Sequence, residues 1–166
     1  MALIKELNRI APRYDESCYF SENATIVGDV SLGKNCSVWF SSVVRGDVAP
    51  VTIGNGVNIQ DGACIHVSKD APTVIEDDVS IGHNAIVHGS TIHHGALIGM
   101  GAVVMDHAEI GAEAIIAAGA VVLQHTVVGA GEIWAGIPAK KMGMANPGVA
   151  ADYAHRYARY IDWYKE

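Results

Sequence analysis

Aromatic residues make up only 7% of this 166-residue chain, and cysteine is rarer still, with three. Cys18, Cys36 and Cys64 are odd in number and lack Cys-x-x-Cys spacing, which argues against a disulfide framework or a thiolate zinc site. They read as reduced thiols, and the expected compartment is cytoplasmic. Basic residues are also few: 11 Lys and Arg against 18 Asp and Glu leave a formal net charge of −7. A nucleic-acid binder would carry a basic face, so no nucleic acid is expected as a partner. No run of about 18 apolar residues occurs, so no membrane span is expected. The stretch from Met1 to Arg9 mixes charges among its apolar residues and does not read as a signal peptide. The length suits a single domain, 1–166, with a sizeable core.

What the chain does have is a repeat. Between Ala24 and Lys140 an aliphatic residue recurs, usually at every sixth position: Ile26, Leu32, Val38, Val44, then Ile53, Ile59, Ile65, and onward to Val128. Glycine often follows it, as at Gly33, Gly54, Gly82 and Gly99, and a small residue often comes four places later, as at Ala63, Ala85, Ala102 and Ala120. A period of six drifts around a 3.6-residue helical turn, so the pattern does not fit a helix. It fits a parallel β-helix, in which each hexapeptide supplies one short strand and a corner. A β-sandwich would instead show strands alternating with period two and of varied length. Three irregularities interrupt the repeat. Three extra residues between Val44 and Ile53 and four between Ile65 and Ile75 predict loops, and one residue is missing between Val87 and Ile92.

The pattern resembles that of hexapeptide-repeat proteins. The resemblance implies an all-β solenoid: a left-handed parallel β-helix, with three hexapeptides per triangular coil, over about residues 15–140. Beyond Lys140 the period changes. Asn146-Pro147 resembles a helix start. Tyr153, Tyr157, Tyr160, Ile161 and Tyr164 then share one helical face, with Asp152, Arg156, Arg159 and Lys165 on others. A C-terminal α-helix over about 147–165, packed on the outside of the prism, is predicted. Its aromatic stripe suits packing better than lining a ligand cavity.

Three hexapeptides per coil fix where the histidines lie. His66 follows Ile65 and His88 follows Val87, one coil later on the same face, with backbones about 4.8 Å apart. That spacing lets two imidazoles share an ion at about 2.0–2.1 Å each. Arg45 falls in the same column below His66, and Asp47 is two residues further on. His83 lies around a corner, with Gln60 below its strand. A convex prism does not readily aim all three histidines at one point, but a neighbouring subunit in a cyclic trimer can supply the third. Three histidines leave one tetrahedral position open, the arrangement of a catalytic metal. The plainer alternative is surface decoration: eight histidines make some pairs inevitable, and His107 and His125 also stack one coil apart. His93, His94, His107, His125 and His155 are assigned to the surface.

Arg45-Gly46-Asp47, Asn58-Ile59-Gln60-Asp61, His66 and His83-Asn84-Ala85-Ile86-Val87-His88 resemble the motifs of the γ-class carbonic anhydrase family. The resemblance implies a homotrimer with zinc, or else iron or cobalt, at each interface, held by His66 and His88 of one chain and His83 of the next. It implies reversible hydration of carbon dioxide to bicarbonate by a metal-bound hydroxide. Arg45 and Asp47 would form an ion pair across the interface, and Asn58 and Gln60 would lie behind the metal, with Gln60 orienting the hydroxide. The chain departs from the family prototype in two places: Val48 stands where the prototype has glutamate, and the loop Val67–Pro72 is short, with Asp70 its only carboxylate, where the prototype carries a proton-shuttling glutamate. Two other functions compete. Trp134-Ala135-Gly136-Ile137-Pro138-Ala139-Lys140 resembles the end of the β-helix in hexapeptide acyltransferases, which suggests an acyltransferase or a metal-dependent acyl-CoA thioesterase. The missing shuttle suggests a non-catalytic trimeric metal-binding scaffold.

Overall fold

The computed structural model describes residues 1–164. It is a left-handed parallel β-helix of about 7 turns with one C-terminal helix. The six-residue period becomes three in-register columns, one per face of the prism. On the first face Ile26, Val44, Ile65, Val87, Val104 and Val122 stack in order. On the second, Val38, Ile59, Ile81, Ile98, Ile116 and Trp134 do the same. The third holds Leu32, Ile53, Ile75, Ile92, Ile110 and Val128. Most of these side chains are fully buried and form one continuous core, each contributing about 1.5–3 kcal/mol by leaving water. Ala63, Ala85, Ala102 and Ala120 are buried at the corners, where only a small side chain fits.

The solenoid starts earlier than the repeat suggested. Leu3–Lys5 and Arg13–Tyr14 already pair in parallel with Thr25–Leu32. The insertion between Val44 and Ile53 is a bulge within an extended segment: Val43–Ile53 forms one 11-residue strand beside Thr25–Leu32, passing from the first face to the third, with Asp47–Pro50 bulging opposite Asp29 between the Gly28–Gly46 and Val30–Val51 pairs. Two glycines make this possible. A Cβ on Gly28 would lie 2.3 Å from the Gly46 carbonyl oxygen, and one on Gly46 would lie 2.3 Å from that of Asp29. The insertion after His66 is the expected loop, pinched by a bridge between Ser68 and Ala71.

The far end is closed by an antiparallel hairpin of Glu132–Ala135 with Lys140–Met144. Glu132 accepts from the Gly129 N–H, the Trp134 indole and Lys141. These bonds, that of Lys141 foremost, hold its carboxyl at about 2. Helix α1 spans Val149–Tyr160 and a 3-10 turn follows over Ile161–Tyr164. It begins two residues after Pro147, behind Gly148 in a left-handed backbone (φ 81°), and the predicted Lys165 lies outside the described residues. The helix packs against the second face. Its buried contacts are Ala150, Ala154 and Ile161 rather than the tyrosines, because small residues let the helix sit close to the sheet. No helix among the described residues is long and apolar enough to cross a membrane, and all three cysteines are free.

Candidate metal centre

His66 and His88 are paired in register on adjacent strands, Cys64–His66 and Ile86–His88. Their ring centroids are 4.9 Å apart, and His66 Nδ1 lies 3.0 Å from His88 Nε2. Each ring's other nitrogen meets a carboxylate. His66 Nε2 is 2.9 Å from Asp47 Oδ1, and His88 Nδ1 bonds closely to Asp106. A carboxylate only accepts, so each ring donates its N–H outward. The two inward nitrogens then present lone pairs to each other at 3.0 Å. Two acceptors at that distance need a shared proton or a cation between them. The donor set therefore fits a divalent ion, in the familiar form of imidazole ligands backed by carboxylates.

The carboxylates are themselves anchored. Asp47 also pairs with Arg45. Residues two apart on a strand point to the same side, so the two side chains meet within the protomer. Asp106 accepts a second bond from Ser68 at 2.7 Å. Burial works to raise both carboxyls, but the bonds from His66 and Arg45 to Asp47, and from His88 and Ser68 to Asp106, outweigh it and hold both below the usual carboxylate range. Arg45, Asp47, His66, His88, Asp106 and Ser68 thus form one continuous chain of polar contacts.

His83 stands apart, at the corner after Ser80–Ile81. A Cβ on Gly82 would lie 2.7 Å from the Met100 backbone nitrogen, so glycine there lets the coils meet and sets His83 on the rim. His83 Nδ1 lies 2.8 Å from Asp61 Oδ2, which directs the N–H there and leaves the lone pair on Nε2. Within the protomer that lone pair accepts from the Tyr157 hydroxyl at 3.2 Å. Gln60 and Asn58 are buried nearby. Gln60 Nε2 donates to Asn58 Oδ1 at 2.9 Å, and Asn58 Nδ2 donates to Ser80 Oγ at 2.8 Å. This fixes the Gln60 amide with its carbonyl oxygen uncommitted among the described residues. One protomer brings His66 and His88 together with Arg45 and Asp47, and His83 together with Gln60 and Asn58. Among the described residues no cluster of three His, Cys, Asp or Glu forms a complete metal cage.

The sequence reading missed Asp106, Asp61, Ser68 and Tyr157. Asp61 was within reach of the same count, since Ile59 pairs with Ile81 and therefore Asp61 falls beneath His83. For Asp106 the count puts Met105 over His88, and only the geometry of the corner brings the next residue into contact. His93, expected at the surface, lies there and bridges Glu76 at 3.0 Å and Glu109 at 2.9 Å.

The outward residues of the three faces differ. The first face, which carries His66 and His88, presents a ladder of Val43, Cys64, Ile86, Val103 and Val121 that is exposed at Ile86 and half-buried elsewhere. The second lies under α1. The third carries Thr52, Val74, Thr91 and Glu109, a mixed and largely polar row.

The bacterial transferase hexapeptide family model, with six repeats, matches residues 89–124. A carbonic anhydrase of Geobacillus kaustophilus is 48% identical over 100 residues, covering 60% of this chain and 55% of that protein. The mitochondrial gamma carbonic anhydrase 2 of Arabidopsis thaliana is 41% identical over 138 residues, covering 80% of this chain and 50% of that protein. The chain thus spans about half the length of these curated relatives. A crystal structure of a Bacillus cereus protein, provisionally assigned as an acetyltransferase, superposes with a TM-score of 0.95 at 37% identity, covering 98% of this chain and 96% of that one.

Proposed function

This chain belongs to the γ-carbonic anhydrase-like family of hexapeptide-repeat proteins, and on that premise we propose that it hydrates carbon dioxide reversibly at metal sites between the subunits of a homotrimer. The observation that carries the reading is the pair of imidazole lone pairs facing each other at 3.0 Å, each ring backed by a carboxylate. His66 and His88 of one subunit and His83 of the next would hold the ion, zinc in the first instance and iron or cobalt as alternatives. The partly exposed apolar ladder beside His66 and His88 supports an interface on that face, because an apolar row open to water tends to mark a contact surface.

When bound, such an ion supplies the acidity that makes water nucleophilic near neutral pH. This chain's residues do the rest. Asp47 and Asp106 fix the ring orientations and the tautomer, holding each N–H on the outer nitrogen so that the inner one carries the lone pair. Asp61 does the same for His83, and the Tyr157 hydroxyl must turn away before Nε2 is free to ligate. Gln60, locked by Asn58 and Ser80, offers its carbonyl oxygen as an acceptor that orients the attacking water. Arg45 neutralises Asp47, and its half-exposed guanidinium is a partner for bicarbonate, an oxyanion of matching geometry.

Stopped-flow hydration assays on zinc-, cobalt- and iron-loaded protein test the proposal. A metal-dependent rate that disappears in a His83→Ala protein still trimeric by light scattering is the expected result. Absence of any metal-dependent rate would remove the reading and leave a trimeric scaffold. Acyl transfer or thioester hydrolysis is the second reading. The assignment of the Bacillus cereus neighbour favours it, and release of coenzyme A from a thioester panel would detect it.

A further inference from the structure

A cavity of about 380 Å³ lies between α1 and the second face of the prism. Its inner end is His83 and Gln60, its floor is Leu97, Ile115 and Ala117, and Tyr153, Tyr157 and Tyr160 roof it. Arg156 stands among these lining residues, its guanidinium 5.1 Å from the centre of the Tyr153 ring. That volume falls in the range of pockets for organic ligands and far exceeds the needs of a triatomic substrate. From these features we infer that the cavity binds a small organic carboxylate with a flat apolar body, its charge on Arg156 and its body against the aliphatic floor.

Two features select this class. The floor is aliphatic and the roof aromatic, so the body of the ligand must be apolar and thin enough to lie between them. Arg156 has no salt bridge to a carboxylate among the described residues, and stacking on Tyr153 leaves the edges of its guanidinium free to donate. The cavity ends on His83, so on the proposed reading of that residue the ligand would sit at the edge of the reacting centre, and hydration would be sensitive to organic carboxylates. Binding itself depends only on the cavity.

Isothermal titration on chelator-treated protein, repeated after zinc loading, tests the inference with three probes. Benzoate supplies ring and charge, benzamide the ring alone, and acetate the charge alone. Benzoate should bind about tenfold more tightly than either of the others, since each lacks one of the two contacts. Arg156→Met should abolish the preference for benzoate over benzamide. Ala117→Leu, checked by thermal unfolding, should weaken benzoate by filling the floor. Benzoate binding no tighter than acetate, or unchanged in Arg156→Met, overturns the inference. Benzoate binding without metal uptake upholds the pocket and counts against the hydratase. Metal uptake without benzoate preference does the reverse.

Discussion

Two pairs of histidines stack one coil apart in this molecule, with nearly the same centroid separation and opposite geometry. His66 and His88 are 4.9 Å apart with their ring planes at 64°, and a nitrogen of each converges on the other. His107 and His125 are 4.8 Å apart with planes at 5°, lying flat on one another. The first pair projects from strands, where the backbone aims the side chains outward and carboxylates on the same side can take their outer N–H groups. The second sits on corner residues with φ of 58° and 60°, where each turn repeats the one below and the rings simply stack. The nearest carboxylate to His107 is Asp70, at 3.8 Å and 84% exposed. Proximity alone therefore does not make a metal site. Two lone pairs must be forced together, and that requires a carboxylate behind each ring.

Removing the rings should break the comparison most sharply. His66→Ala or His88→Ala should lose bound metal and lower metal-dependent hydration by about 100-fold or more, because two ligands do not hold the ion in place of three. His107→Ala and His125→Ala should each leave both within about twofold. Metal analysis of the purified proteins alongside the hydration assay checks this.

Next come the carboxylates. Asp47→Asn and Asp106→Asn should weaken metal binding by about 10–100-fold, the usual cost of removing the partner of a ligating histidine. Asp70→Asn should leave affinity unchanged in a competition titration with a chromophoric chelator. Equal effects from Asp70 and Asp106 would show that the contrast between the two pairs carries no function.

The backbone under Asp47 gives a smaller handle. Gly46→Ala should cost about 1–3 kcal/mol of stability, since the added Cβ meets a neighbouring carbonyl, and should also loosen the metal by shifting Asp47. Gly101→Ala has open space around it and a positive φ of 66°. It should cost about 1 kcal/mol and leave the metal alone. Denaturant melts with and without metal separate the two.

The smallest effect concerns His93. Its bonds to Glu109 and then Glu76 raise its pKa above the ordinary value. A raised folded pKa adds stability that is fully present below the unfolded value, about 6.5, and is lost as pH rises through the folded one. His93→Gln should therefore lower the melting temperature of metal-free protein at pH 6 and leave it little changed at pH 9. A loss independent of pH would show that the imidazole acts by packing alone.

Much of the scaffold was legible because a strand repeats a simple rule. Inward aliphatics, small corners and the register of His66 over His88 all follow from counting in sixes. The count failed where a glycine pair changed the path of the chain. Gly28 and Gly46 let the two strands pass closely, so that the extra residues form a bulge in one long strand, and nothing in that composition distinguishes a bulged strand from a loop. At the helix it held in part: Tyr157 and Tyr164 pack on Trp39 as the stripe predicts, but Ala150 and Ala154 make the closest approach to the sheet and Tyr153, Tyr157 and Tyr160 also roof a cavity. The tyrosine stripe is real, but burial went to the side chains that allow the closest approach.

By itself the sequence determined which residues face inward, which share a column, and therefore that two imidazoles meet one coil apart while a third stands around a corner. These are consequences of backbone alternation and a constant coil length, both local rules. Only the tertiary structure decided which pair converges and which merely stacks, that Asp106 backs His88, and that His83 is held by Asp61 and Tyr157. Those outcomes depend on side-chain directions at corners and on a helix folded back over the sheet, and such contacts between distant segments have no period to count.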